Sequence, residues 1–166
     1  MKKAFTMVEM VFVIAIIAIL SAVFVPKLLA TRDDAQIVKG IKNLNMFISD
    51  IGIYYTAKNG FAENPRDMTS VKDIDWFDDE SGEILVAGKK CISFFIIPND
   101  GVKPAHLRIE DGSQKSEKIC RQILLSDTMK NIKTMRISYN QTHNSRDDKN
   151  ANYGEIMIGE GSTVRW

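Results

Sequence analysis

A single glutamate, Glu9, stands at the leading edge of an apolar run that only Ser21 interrupts between Met10 and Val25. A carboxylate at the edge of an apolar helix is costly in hydrocarbon and must find a partner. Two arrangements satisfy it: a cation on a neighbouring chain, or a place among headgroups supported by the helix's own N-terminus. Other reactive groups are sparse. Cys91 and Cys120 are the two cysteines, and His106 and His143 are the two histidines. They form no CxxC or Cys/His cluster, so no metal site is assigned. Asp73, Asp75, Asp78, Asp79, Glu80 and Glu83 gather around Trp76-Phe77. Calcium takes several carboxylates in a flexible loop, but the spacing lacks the glycine of an EF-hand. A solvated acidic loop anchored by two aromatics is the simpler expectation. GxSxG, P-loop, HExxH and GxGxxG motifs are absent, and both histidines are expected at the surface. The chain is therefore read as having no catalytic residue, no metal and no cofactor.

The elements that position these residues begin with the apolar run itself. Phe5 to Pro26 is long enough to cross most of a bilayer as a helix, which takes about 20 mainly apolar residues. Lys2 and Lys3 precede it and, by the positive-inside rule, place the remainder across the membrane. After Pro26 the pattern becomes amphipathic: Ile37, Ile41, Leu44, Ile48, Ile51 and Tyr55 alternate steps of four and three, one stripe of a helix. Asn59-Gly60 is a helix stop. A helix from Phe5 to Lys58 would measure roughly 80 Å at about 1.5 Å per residue. Pro26 should kink it, and Gly40 and Gly52 should weaken it.

Beyond the helix, Phe61–Asp79 reads as a connector with a helical turn near Met68–Val71. Glu83–Ala87 and Ile92–Ile97 flank Gly88-Lys89-Lys90 as a hairpin. The near-continuous apolar character of the second run predicts a central strand covered on both faces. His106–Glu110 alternates, with Leu107 and Ile109 on one face. Ser116 is placed to cap a helix reaching about Lys130, with Cys120 on its buried stripe. Met135–Tyr139, Gly154–Ile158 and Thr163–Trp166 read as further strands, and Gln141–Asn152 as a polar loop. The expected fold class is α+β, a long N-terminal helix packed on a mainly antiparallel sheet.

The chain has 166 residues, with 22 basic and 21 acidic side chains. That balance calls for no general nucleic-acid or anionic partner. Both cysteines follow the apolar segment, so they would meet in an exported compartment where disulfides persist. A Cys91–Cys120 bridge would close a loop worth roughly 3–4 kcal/mol; the alternative is two buried thiols that never meet. A cleaved secretory signal fits poorly, because Leu20-Ser21-Ala22 and Leu28-Leu29-Ala30 put leucine where a small residue is wanted.

Lys2-Lys3-Ala4-Phe5-Thr6-Met7-Val8-Glu9, with the apolar run and Pro26, closely resembles the prepilin-type N-terminus of type IV pilins and type II secretion pseudopilins. The resemblance implies cleavage between Ala4 and Phe5, methylation of the new amino group at Phe5, and an assembly role for Glu9 and Pro26. It departs at Ala4, where the family usually has glycine. The implied organisation is a leader over 1–4, a transmembrane and assembly helix over 5–30, and a periplasmic pilin-like domain over 31–166. The implied function is a structural subunit, best read as minor, of a type IV pilus or a secretion or competence pseudopilus. Its partners would be other pilin subunits, the inner membrane, the prepilin peptidase and the assembly platform. The chain would wait in the inner membrane as a single-pass protein and then enter the filament. Two rivals remain: a DNA-binding minor pilin, using Arg165 and Trp166 after Gly159-Glu160-Gly161, and a periplasmic binding domain on an uncleaved anchor.

Overall fold

A computed structural model describes residues 6–101, 103–135 and 153–158. The chain divides into two compact units, residues 1–35 and residues 36–166. Helix α1 runs from Met7 to Lys58, 52 residues, and is helical through Pro26. It stops where the sequence says it should: Asn59 takes a left-handed φ of 53°, the conformation that ends a helix, tolerated by asparagine and not by most side chains. Leu44, Phe47, Ile48 and Ile51 are buried, with Ile37, Ile41 and Tyr55 packed at the margins. Phe47 widens the anticipated stripe, and it is fully enclosed. Its ring lies 4.4 Å from that of Phe94 and 6.3 Å from that of Trp76.

Gly40 reverses one expectation. A Cβ there would lie 2.7 Å from Val86 Cγ2 and 2.9 Å from Ile123 Cδ1. The glycine therefore serves close packing, letting the helix backbone approach strand and helix neighbours. Gly52 has nothing within 4 Å of the same position, so there the usual cost of a mid-helix glycine stands.

The α1 segment in the second unit covers one face of a five-stranded antiparallel sheet in sequential order. The strands are β1 (Ile74–Trp76), β2 (Ser81–Val86), β3 (Lys89–Ile97), β4 (His106–Asp111) and β5 (Gly154–Met157). The β2–β3 hairpin turns on Ala87 and Gly88, with φ of 51° and 75°, the two left-handed residues of a tight turn whose twist matches the strands. β3 is central between β2 and β4, and one of its faces is closed more fully than the other. Ile92, Phe94 and Ile96 are buried, whereas Ser93, Phe95 and Ile97 are half-buried. The apolar run thus overstated the cover on the second face.

Strand β1 also corrects the acidic-loop expectation. Ile74 and Trp76 pack on the core, so the carboxylates between and around them diverge instead of converging. Asp73 pairs with Lys39 at 2.7 Å, Asp75 with Lys90 at 2.6 Å. Glu83 is buried, accepting hydrogen bonds from the Ser93 hydroxyl, the Ser113 hydroxyl and the Ser113 backbone N–H. The helical turn in the connector is a short 3-10 segment, Pro65–Met68, capped by Asn64, slightly earlier in the chain than anticipated.

The single helix expected after Ser116 is two: α2 (Lys118–Leu124) and α3 (Asp127–Thr134). The break falls at Leu125-Ser126, where the Ser126 hydroxyl accepts the Met129 N–H and starts a new helix. Serine favours such a cap over a helix interior. Cys91 of β3 and Cys120 of α2 are joined in a disulfide and fully buried. His106 is another correction. Instead of lying at the surface it is 1% exposed, with Nδ1 2.8 Å from the Pro104 carbonyl oxygen. His143, the strands expected at Met135–Tyr139 and Thr163–Trp166, and the polar loop between them lie outside the described residues, apart from Met135, which ends α3.

Candidate functional site at the N-terminal helix

Local chemistry starts the helix at Thr6. Its hydroxyl accepts the Glu9 N–H at 3.3 Å, and its carbonyl accepts the Met10 N–H at 3.3 Å. Thr6 is thus the N-cap and Glu9 the third helical residue, the spacing of a capping box. The sequence carries that signal in Thr6-x-x-Glu9. A carboxylate in the first turn also meets the partial positive charge of the helix N-terminus.

Met7–Val25 is long and apolar enough to cross a membrane, and none of it is buried within the chain. Phe12 is 66% exposed and Ile19 69%. Apolar side chains project around the whole circumference, because no polar face exists to turn toward water. A helix apolar all round must be covered by lipid or by other helices. Within that surface Glu9 is the sole carboxylate, and among the described residues it takes part in no ion pair. Pro26 lies inside α1, where it removes one backbone donor. Ala4 and Phe5, the expected cleavage pair, lie outside the described residues.

Among its described residues, the second unit holds no comparable chemical centre. Cys91 and Cys120 are consumed in a structural link. His106 is buried, with its ring nitrogen Nδ1 against the Pro104 carbonyl oxygen. Among the described residues no group of three or more His, Cys, Asp or Glu side chains could hold a metal ion.

Comparison with known proteins bears on the same N-terminal region. Residues 1–25 match the family described as the prokaryotic N-terminal methylation motif. The chain is 38% identical over 69 residues to the type IV wide pilus major component PilA4 of Thermus thermophilus. That match covers 42% of this chain and 53% of the relative, so the chain spans about half the relative's length in alignment. No solved structure matches.

Proposed function

We propose that this chain belongs to the type IV pilin family and is a structural subunit of a type IV pilus or a related pseudopilus; its N-terminal methylation motif and its likeness to a pilin over part of its length support this reading. The observation that carries this is the uncovered apolar helix Met7–Val25 with Glu9 in its first turn. In the membrane, lipid covers that surface. In a filament, the same helices cover one another, and no other part of the chain needs to change.

Processing completes the logic. Cleavage between Ala4 and Phe5 by a prepilin peptidase would free an amino group four residues before Glu9. When a neighbouring subunit slides past, that cation and the Glu9 carboxylate neutralise each other inside an apolar bundle. Such a pair fixes axial register, because a helix displaced by one turn would leave both charges buried and unpaired. In this scheme the soluble domain faces the periplasm and the chain remains single-pass until an assembly platform extracts it. The proposed role is structural rather than enzymatic. Whether the subunit is main or minor is read from its molar ratio to other subunits in sheared filaments.

The test is Glu9→Ala in the full chain. Membrane insertion should persist, since the substitution makes the helix more apolar, while recovery in sheared filaments should fall at least about tenfold if one buried charge pair is lost. Incorporation at the wild-type level would refute the pairing role.

A further inference from the structure

The two ends of the five-stranded sheet carry different exposed side chains, although Lys90 reaches to 5.4 Å from the Phe77 ring. The β1–β2 turn, Phe77-Asp78-Asp79-Glu80, lies at one end and is exposed throughout, with Phe77 57% exposed. Asp78 accepts the Glu80 N–H through its carboxylate, so the acids are held in a fixed turn. Alternation of antiparallel strands puts the β2–β3 turn and the end of β4 at the other end. Helix α2 is tied there: Glu117 meets Lys89, Cys120 is bonded to Cys91, and Ile123 packs near Val86 beside Gly40. On its outward side α2 presents Lys118 and Arg121, followed at helical spacing by its C-cap Leu125. Lys118 and Arg121 are exposed, with Lys115 just before them, and Leu125 is 68% exposed.

We infer that the Phe77–Glu80 turn of one copy docks on the Lys115–Lys118–Arg121–Leu125 surface of a second copy of this chain, head to tail. Three acids with an exposed aromatic face three bases with an exposed leucine. Each patch alone is ordinary surface; together they form a complementary pair carried by one chain. Pairing like patches would bring acid against acid or base against base, which is unfavourable. When each pair of copies makes a single acid-on-base contact, the basic patch of one and the acidic patch of the other stay open, so the contact is heterologous and repeats unless a rotation closes it. A contact of that kind can repeat between successive copies along a filament. The proposal deepens the filament reading and rests on it for what brings the copies together.

The experiment uses the full chain in cells that assemble filaments. Asp79→Lys with Glu80→Lys should lower recovery in the sheared fraction about tenfold, as should Lys118→Glu with Arg121→Glu. The combined four-residue reversal should return recovery to within about threefold of wild type, since complementarity is restored in swapped form. Equal membrane levels and an intact disulfide on a non-reducing gel exclude misfolding. Unchanged recovery for either reversal overturns the proposal, and so does failure of the combined variant to recover. A wild-type chain that never reaches the sheared fraction refutes the filament reading instead. In that case Glu80→Cys with Arg121→Cys in detergent-solubilised full chain decides the contact: an oxidative ladder supports it, and monomer alone overturns it.

Discussion

Replacing Gly40 by alanine sets two effects of known sign against each other. In an exposed helix interior the change stabilises by up to about 1 kcal/mol, because alanine loses less backbone entropy. At Gly40 the new methyl would sit 2.7 and 3.1 Å from the two Val86 methyls and 2.9 Å from Ile123 Cδ1. Ile123 ends in a flexible tip that can yield. Val86 is β-branched, 1% exposed and fixed in the core, so the helix must move away from the sheet instead. Overpacking of this kind costs about 1–3 kcal/mol. The balance is a loss of up to about 2 kcal/mol, which in a domain of this size lowers the midpoint of thermal unfolding by up to about 8 °C. Gly52→Ala is the internal control. It lies in the same helix with nothing within 4 Å, so it should raise the midpoint by a few degrees. Circular dichroism of the detergent-solubilised full chain reads both. A Gly40→Ala protein as stable as Gly52→Ala would refute the close-packing argument.

Three further perturbations probe the rest of the domain. Removing the disulfide by Cys91→Ser with Cys120→Ser opens a link of sequence separation 29. It should cost about 3–4 kcal/mol in urea unfolding, and no change in midpoint would mean the bridge constrains little. Glu83→Ala strips the acceptor from Ser93 and from both donors of Ser113. Orphaning these groups should cost about 2–3 kcal/mol, more than Glu80→Ala, which is exposed. A hydrogen bond from Lys39, helped by its charge and by Asn43, holds the Asp73 carboxyl below its ordinary value near 3.8. With a depressed folded value, that pair stabilises above about pH 4 and is lost as pH falls through the depressed value. Both side chains are substantially exposed, so Lys39→Met should cost under about 1 kcal/mol at pH 7. The gap between variant and wild type should close by pH 2, and a gap that persists would contradict the linkage.

Much of this architecture could be read from residue order because single rules governed it. The apolar run, the 3-and-4 stripe, Asn59 and the β2–β3 turn each have one favourable solution. The misreadings arose where a choice depended on contacts distant in sequence. Gly40 looked like a weak point because only the approach of Val86 and Ile123 shows why a side chain is excluded. The acidic cluster around Trp76 looked like a loop because Lys39, Lys90 and Ser113, which separate its members, come from three other parts of the chain. Phe95 and Ile97 suggested a strand covered on both faces, yet apolar composition does not say how much of a face its neighbours reach. His106 was expected at the surface, since one polar residue in an alternating strand gives no sign of which face is enclosed. At the N-terminal site, Glu9 and the apolar run were plain in sequence, and what the structure added was Thr6 as the cap that sets Glu9 in the first turn.

The central claim is that this chain is cut, freed at its N-terminus and built into a filament through the exposed helix. Mass spectrometry of the chain recovered from sheared native filaments tests it most directly. The account predicts a mature protein beginning at Phe5 and methylated on its amino group. A chain beginning at Met1 or after Ala22, or absent from filaments altogether, would contradict it.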